Sequence, residues 1–298
     1  MNVLVVGRSG QLATELRKIR WPGSIRVLAL GREQLDLTDP ATISAALAAA
    51  APDIVVNAAA YTAVDQAEAE PALAFAVNEA GPSHLAEEAA RRNIPLIQLS
   101  TDYVFSGSGE RPWREDDEPA PLSAYGRSKL AGERAVIARA PKHIVLRTSW
   151  LFAAHGHNFV RTMLRLGAER SALRIVADQH GCPTAAADLA RVIAQLACAL
   201  LAQQGPFGIY HYAGAGAVSW YGFAAAIFQE AGDLLATTPA LSPITTKEFA
   251  APAPRPAFSV LDCSKIERDF GVTRRSWELG LRDVLAELRA NREPIPAA

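Results

Sequence analysis

The sequence predicts an α/β fold built on a doubly wound, Rossmann-like parallel sheet, with a smaller C-terminal lobe. Three observations support this prediction. Short apolar runs alternate with longer segments of helical spacing up to Trp150, a glycine-containing turn joins the first run to the first helical segment, and the alternation loosens after Trp150. Strands that helices cover on both faces have this continuous apolar character, and their alternation with helices indicates parallel pairing.

The predicted strands of the first half are five apolar runs bounded by turns. They lie, in order, at 2–7, 25–30, 53–59, 94–100 and 143–150. Segments with apolar residues at helical spacing separate them, at 11–19, 39–50, 69–92 and 125–138. Asp39 opens the second of these segments, where its side chain is placed to cap the helix.

The second half mixes helical segments with shorter extended ones. Helices are predicted at 158–169, 186–203, 219–231 and 276–291, and they are separated by extended stretches at 173–184 and 208–214 and a proline-rich loop at 251–262. We therefore predict a dinucleotide-binding domain over 1–150. Residues 151–298 form mainly a substrate-binding lobe, and segments near 172–214 return to the first domain.

Composition narrows the class of partner. The chain has 298 residues, of which 50% are hydrophobic, and its 30 basic and 31 acidic residues nearly cancel. Without a basic stripe, the sequence favours a small-molecule partner and predicts neither nucleic-acid nor membrane binding. The 3 cysteines lack C-x-x-C spacing, which argues against a disulfide framework or a zinc site. No basic leader and no run of about 18 apolar residues is present, so we expect a cytoplasmic protein.

The first chemical motif is the turn "GRSGQLA". Gly7 permits a tight turn, Gly10 lets the backbone approach a pyrophosphate, and Ala13 allows close packing of helix on sheet. The backbone N–H groups at the helix N-terminus attract negative charge. The glycines alone fit a plain strand–helix turn equally well, but their position at the start of a βαβ series favours dinucleotide binding.

Cofactor choice is predicted at the end of the second strand. An acidic residue normally stands there in NAD-binding proteins, whereas this chain has Arg32, which can pair with a 2′-phosphate. We therefore predict NADPH, with NADH as the alternative if Arg32 is only a solvated charge. Asp36 follows in the next loop, where its carboxylate can meet the adenine edge. The small residues of "NAAAYT" at 57–62 allow a cofactor to pass the end of the third strand, although tight sheet packing would need them equally.

A third motif places candidate acid–base residues at the carboxyl edge of the predicted sheet. Ser100, Thr101 and Asp102 end the fourth strand, and Tyr125 and Lys129 lie one helical turn apart in the helix that follows. An ammonium near a phenol is expected to lower the phenol's pKa, so that Tyr125 can give a proton to a carbonyl oxygen while Thr101 hydrogen-bonds that oxygen. An isolated Y-x-x-x-K pattern is common by chance, and it gains meaning from the glycine turn and the strand end that precede it.

At these residues the chain resembles the dTDP-4-dehydrorhamnose reductase family of the extended short-chain dehydrogenases. The shared motifs occur in order from position 7 to about 262: G-x-x-G-Q, "NAAAYTAVDQAE", "STDYVF", "YGRSKLAGE", "LRTSW", "NFVRTML", "DQHGCPT" and "RPAFSVLD". The resemblance implies NAD(P)H-dependent reduction of the C4 ketone of dTDP-4-dehydro-6-deoxy-L-mannose to dTDP-L-rhamnose, a cell-surface sugar donor.

The resemblance also implies roles for individual residues. The catalytic positions are Thr101, Tyr125 and Lys129. The cofactor positions that it implies are Gly10, Gln11, Leu12, Asp36, Leu37, Ala60, Tyr61 and Thr62. The residue patterns described above add Gly7, Ser9, Arg32, Tyr125 and Lys129 to the predicted cofactor site. The dTDP-sugar positions are Thr101, Asp102 and Trp150, with Asn158, Phe159 and Arg255 as weaker candidates for thymine and diphosphate. Trp150 as a core residue and Arg255 as a surface charge are the alternatives.

Some members of this family are described as dimers joined through magnesium held by glutamates. This chain has Glu15 and Glu287 in the matching regions but Ala187 in place of a third glutamate, and magnesium needs several oxygen ligands. We therefore predict no required metal, and these residues give a homodimer no support. His155, His157, His180 and His211 lack tight ligand spacing.

Two other functions remain open from the sequence. A nucleotide-sugar epimerase or dehydratase of the same superfamily would use Tyr125 and Lys129 but would return the hydride to its cofactor. A non-catalytic regulatory subunit can share the fold. Because the predicted catalytic residues are all present, the sequence favours an enzyme.

Overall fold

The computed structural model describes residues 1–23 and 25–291, so the end of the predicted 151–298 lobe, at 292–298, lies outside the described residues. The strands are β1 (Asn2–Val6), β2 (Arg26–Leu30), β3 (Ile54–Asn57), β4 (Leu96–Thr101), β5 (His143–Thr148), β6 (Leu151–Phe152), β7 (Ala172–Val176), β8 (His180–Gly181), β9 (Thr184–Ala185), β10 (Gly208–His211), β11 (Val218–Ser219) and β12 (Ala240–Ile244). The α-helices are α1 (Gln11–Lys18), α2 (Pro40–Ala50), α3 (Gln66–Ala69), α4 (Pro71–Phe75), α5 (Gly81–Arg91), α6 (Ala124–Arg139), α7 (Phe159–Glu169), α8 (Ala186–Leu201), α9 (Trp220–Ala231), α10 (Thr246–Phe249), α11 (Ser264–Phe270) and α12 (Trp277–Asn291).

The central sheet has six strands in the order β10-β5-β4-β3-β1-β2. Every neighbouring pair in it is parallel, with Val3 opposite Val27 and Val5 opposite Val56. The predicted doubly wound parallel sheet is therefore confirmed. The chain reverses its direction of travel across the sheet between β1 and β3, which is the point where open α/β sheets bind ligands at the carboxyl ends of their strands.

Helices cover both faces of the sheet because successive residues of its strands point to opposite sides. In β1, Val3 and Val5 pack in one cluster with residues of α1 and α8, whereas Leu4 and Val6 pack in a second cluster with residues of α2, α5 and α6. All four side chains are at most 1% exposed. The predicted cap of α2 is also present, since Asp39 accepts a hydrogen bond from the Ala41 backbone N–H at 2.9 Å.

A second apolar cluster forms the core of the smaller lobe. It joins α7, α9 and α12 around Phe223, which is fully buried. Of the segments expected to return to the first domain, β10 pairs with β5 and α8 packs on α1. The strand β7 instead pairs in parallel with β12 in a separate two-stranded sheet, because its apolar residues Leu173 and Ile175 belong to the core of the smaller lobe.

Candidate active site

A cleft of about 910 Å³ runs along the carboxyl edge of the central sheet. Residues of the smaller lobe also line it, including Trp220 at the start of α9. The predicted site residues found in its lining are Gly7, Ser9, Gly10, Gln11, Leu12, Arg32, Asp36, Leu37, Ala60, Tyr61, Thr62, Thr101, Asp102, Tyr125, Lys129 and Trp150.

The turn between β1 and α1 forms the floor of one part of the cleft. Gly7 has φ +106°, a conformation that residues with a Cβ rarely adopt. Gly10 precedes α1, and a Cβ built there would meet no described atom within 4 Å, so the turn leaves open space above it. Among the described residues, no side chain caps α1, and its first backbone N–H groups face this space as an anion-binding site does. The turn therefore fits a dinucleotide pyrophosphate.

Arg32 and Asp36 lie together at the end of the cleft beyond β2. The Arg32 Nε lies 3.0 Å from Asp36 Oδ2, and the arginine side chain is 76% exposed. Hydrogen bonds from the Thr38 backbone and side chain, reinforced by Arg32, hold the pKa of Asp36 below its usual value. A guanidinium at this exposed edge is accessible to a phosphate group.

Thr101, Tyr125 and Lys129 all line the cleft. Thr101 accepts a hydrogen bond from the Tyr103 backbone N–H at 3.2 Å and donates one to Asp102 Oδ1 at 3.0 Å. Lys129 Nζ donates to the Leu99 backbone carbonyl at 2.7 Å. Burial lowers the pKa of Lys129 to about 8.

The predicted lowering of the Tyr125 pKa is wrong for this structure. Burial, aided by the charge of Asp102, raises the pKa of Tyr125 to about 12, although hydrogen bonding with Thr101 opposes the rise. The cost of burying a phenolate outweighs the favourable neighbours. Tyr125 therefore holds its proton at neutral pH, which is the state that a proton donor requires.

Four buried polar side-chain atoms have no hydrogen-bond partner among the described residues, and all belong to residues that line this cleft. They are Gln11 Oε1, Ser100 Oγ, Asp102 Oδ2 and Thr148 Oγ1. Leaving a buried polar group unpaired costs about 1–3 kcal/mol. Their concentration in one cleft is typical of a site whose polar groups are completed by ligand.

Asn78 supports the site, and the sequence analysis missed it. It lies in a π-helical turn, Ala76–Ala80, that interrupts the helix predicted over 69–92. Its Oδ1 accepts from the Tyr61 backbone N–H at 2.9 Å, and its Nδ2 donates to Ser128 Oγ at 3.0 Å. Asn78 thus ties the loop after β3 to the helix that carries Tyr125. Helical periodicity gave no signal for the extra residue of a π turn.

The smaller lobe contributes an aromatic wall. Trp150 stacks on Trp220 with ring centroids 3.4 Å apart and planes 5° apart, and both rings line the cleft. Phe159 does not line the cleft but packs against Trp220, with its centroid at 4.5 Å. Trp220 was not predicted, because nothing in its local sequence distinguishes it from a core tryptophan.

Asn158 and Arg255 lie outside the cleft lining, and both make contacts within the protein. Asn158 caps α7 by accepting from the Arg161 backbone N–H at 3.2 Å, and it is only 6% exposed. Arg255 lies 2.9 Å from Asp65 Oδ2 and donates to the Ala253 carbonyl at 3.2 Å. Their roles toward thymine and diphosphate stay predictions.

The glutamates discussed for magnesium are bridged by an ammonium group. Lys18 Nζ lies 3.0 Å from Glu15 Oε1 and 2.8 Å from Glu287 Oε1, and His155 Nε2 lies 2.6 Å from the same Glu15 oxygen. Within residues 1–23 and 25–291, no group of three or more His, Cys, Asp or Glu residues is arranged to hold a metal. In the same ranges, no helix has the length and apolar character needed to cross a membrane.

Taken together, the sheet, the glycine turn and the Thr–Tyr–Lys set define an extended short-chain dehydrogenase/reductase. Residues 1–290 match the family model described as the RmlD substrate binding domain. A dTDP-4-dehydrorhamnose reductase from Sinorhizobium fredii is 44% identical over 284 residues, covering 95% of this chain and 96% of the relative. One from Streptomyces griseus is 46% identical over 297 residues, covering 98% and 96%.

A solved structure agrees with these relatives. The crystal structure of dTDP-4-dehydrorhamnose reductase from Bacillus anthracis in complex with NADP has a TM-score of 0.90 and 36% identity, covering 96% of this chain and 99% of that chain. The chain therefore belongs to the dTDP-4-dehydrorhamnose reductase family, and it is an NAD(P)H-dependent oxidoreductase.

Proposed function

We propose that the protein reduces the C4 ketone of dTDP-4-dehydro-6-deoxy-L-mannose to dTDP-L-rhamnose with NADPH, and that Tyr125 is the proton donor. The observation that carries the proposal is that one cleft is lined by three groups of residues. They are the glycine turn at Gly7–Leu12, the Thr101–Tyr125–Lys129 set and the Trp150 indole.

When bound, NADPH would supply the hydride that the carbonyl carbon receives. Tyr125 gives its phenolic proton to the carbonyl oxygen, and the Thr101 hydroxyl hydrogen-bonds that oxygen as negative charge develops on it. Lys129 donates one N–H to the Leu99 carbonyl, which leaves two N–H groups that would hold the nicotinamide ribose hydroxyls. Burial of Thr101 and Lys129, at 6% and 4% exposed, keeps these interactions away from bulk water.

Recognition of the sugar is assigned to Asp102 and Trp150. The unpartnered Oδ2 of Asp102 accepts a hydrogen bond from a sugar hydroxyl, and the Trp150 indole packs against the apolar face of the sugar ring. The Trp220 ring behind it holds the indole in place.

The Arg32 guanidinium is assigned to the 2′-phosphate of NADPH. Arg32→Ala is expected to lower kcat/KM for NADPH by about tenfold or more, with little change for NADH, because a charge-assisted hydrogen bond is worth about 1.5–3 kcal/mol. An unchanged ratio of the two efficiencies would rule out this assignment.

The central test is oxidation of NADPH by the purified protein given dTDP-4-dehydro-6-deoxy-D-glucose and a 3,5-epimerase that generates the L-sugar. We expect loss of NADPH absorbance with dTDP-L-rhamnose as product, and a fall of about 10²- to 10⁴-fold in Tyr125→Phe. Tyr221→Phe, on α9 and away from the cleft lining, is the matched control and should retain wild-type turnover.

Other outcomes separate the rival functions. An epimerase or dehydratase would convert a nucleotide sugar with no net NADPH oxidation, because its cofactor recovers the hydride. Binding of NADPH or NADH without oxidation of either would instead favour a regulatory subunit on this fold.

A further inference from the structure

The phenol assigned to proton donation stands at the start of its helix. Tyr125 is the second residue of α6, so the place of its ring depends on how the first turn of that helix is held. Among the described residues, two side chains accept hydrogen bonds from backbone N–H groups of this turn. Ser123, the N-cap, accepts one from Gly126 at 3.1 Å, and Glu68 Oε1 accepts one from Ala124 at 2.7 Å. Ser123 is local, whereas Glu68 belongs to α3 and lies 56 residues from Ala124 in the chain.

The helix α3 connects this turn to the wall of the cleft. Tyr61 lines the cleft in the loop after β3, and α3 follows that loop along the chain. The side chains of Tyr61 and Tyr125 pack against one small apolar cluster, whose buried members are Ala67 of α3, Ala74 of α4 and Ala124 of α6. Because alanine side chains are short, the cluster brings the backbone of α3 close to the first turn of α6. The bond from Ala124 to α3 therefore lies beside the contact that seats Tyr125.

The end of β4 limits the same turn on another side. A Cβ built at Gly126 would come within 2.3 Å of the Tyr103 carbonyl oxygen, so the turn packs directly on the backbone just beyond Thr101. The Tyr103 ring also meets the Tyr125 ring edge to face, with centroids 5.8 Å apart. The first turn of α6 therefore has no room to move closer to the end of β4, and only its other contacts keep it from moving away.

We infer that Glu68 is a positioning residue of the reduction: its carboxylate holds the first turn of α6 where Tyr125 reaches the carbonyl oxygen that Thr101 also contacts. This inference rests on the proposed function, in which that oxygen receives the phenolic proton. Glu68 lies outside the cleft lining, so it acts through the helix and not on the substrate. A carboxylate also suits the partial positive charge at a helix N-terminus.

The first turnover of NADPH oxidation in a stopped-flow experiment tests the inference. Glu68→Ala should lower its rate constant about tenfold or more, because a displacement of about 1 Å at the reacting atoms can slow an enzyme by about 10²-fold. The Kd for NADPH, measured by nucleotide fluorescence without sugar, should stay at the wild-type value. A smaller fraction of folded enzyme would reduce the amplitude of the first turnover but not its rate constant, so the rate constant reports position and not stability.

Two further variants at the same position identify the bond. Glu68→Gln keeps an acceptor oxygen and gives up only an exposed pairing with Arg127 at 3.8 Å, so it should recover most of the lost rate. Glu68→Asp keeps the charge but shortens the side chain, so its rate constant should fall between those of Glu68→Gln and Glu68→Ala. This variant also gives a reading if Glu68→Ala does not fold.

Glu248→Ala is the matched control. Glu248 Oε2 accepts a hydrogen bond from the Thr245 backbone N–H at 2.8 Å at the start of α10, and Glu248 also pairs with Arg174. It lies in the smaller lobe and outside the cleft lining. The substitution removes the same kind of bond as Glu68→Ala, so both variants should unfold at lower urea concentrations than the wild type. Only Glu68→Ala should have a slower first turnover.

Three results would overturn the inference and leave the proposed function in place. They are a Glu68→Ala enzyme with the wild-type rate constant, equal slowing by Glu68→Ala and Glu68→Gln, and equal slowing by Glu68→Ala and Glu248→Ala. A wild-type protein that oxidises no NADPH would instead remove the proposed function and the inference together.

Discussion

The buried Asp102 carboxyl group should make the free energy of unfolding depend on pH, and this can be measured without substrate. Its pKa is about 7 in the folded protein, compared with 3.8 for an ordinary aspartate. A shift of about three units corresponds to about 4 kcal/mol. Because the folded state binds this proton more tightly than the unfolded chain, the contribution is fully present below about pH 4 and is lost as pH rises to about 7.

The Asp102→Asn variant isolates this contribution, since an asparagine is neutral at every pH in the range. We would measure the free energy of unfolding of both unliganded proteins with urea between about pH 4 and pH 8. Relative to Asp102→Asn, the free energy of unfolding of the wild type should fall by up to about 4 kcal/mol as pH rises across this interval. The fall should occur between the pKa values of Asp102 in the unfolded and folded states.

Other groups that titrate in the same pH range contribute equally to the free energy of unfolding of both proteins, so the comparison cancels their contributions. Burial, with the charge of Arg147, lowers the pKa of His211 to about 3, so His211 destabilises the fold as pH falls below about 6.5. That effect has the opposite sign and is common to both proteins. If the difference between their free energies of unfolding stays constant within about 1 kcal/mol from pH 4 to pH 8, the reasoning is refuted.

Three further predictions concern the support of the site. Glu133→Gln should lower the free energy of unfolding by about 3–5 kcal/mol, because it leaves Arg147, which is 1% exposed, without its charged partner. Glu87→Gln, in an exposed ion pair, should lower it by less than about 1 kcal/mol. Equal losses of the two variants in urea unfolding would contradict this prediction. Gly132→Ala should lower the free energy of unfolding by at least about 1 kcal/mol and should also lower kcat, because the added Cβ would overlap the Asn78 carbonyl oxygen. Alanine is the better helix former, so a gain of stability would contradict this prediction. Treatment with EDTA should leave turnover unchanged, because a lysine ammonium bridges the glutamates that resemble a magnesium site, and a loss restored by magnesium would contradict this expectation.

The sequence could place the predicted cofactor positions in one cleft because each of the motifs that carry them is local. The glycine turn occupies a few residues between β1 and α1, and the spacing of Tyr125 and Lys129 lies within one helix. Alternating strands and helices predict a parallel sheet, and the carboxyl ends of its strands lie at one edge. These local motifs are therefore expected to lie close together.

Features that depend on distant segments could not be read in this way. Asn78 acts on Tyr61 and Ser128, which lie 17 and 50 residues away in the chain. The direction of the Tyr125 pKa was mispredicted for a related reason. The sequence shows a lysine one turn away, but the burial that outweighs it is a property of the assembled fold.

The position of the Trp150 ring depends on both lobes. Trp150 has φ +46°, a conformation that costs a residue with a Cβ about 1–2 kcal/mol, so its surroundings must hold it there. The Trp220 ring stacks on one side of the indole, and a Cβ at Gly181 would come within 2.5 Å of the indole atom Cε2. The first domain therefore supplies the tryptophan, while α9 and β8 determine where its ring lies. A change in the smaller lobe should therefore move the Trp150 ring while leaving the turn at Gly7–Leu12 intact.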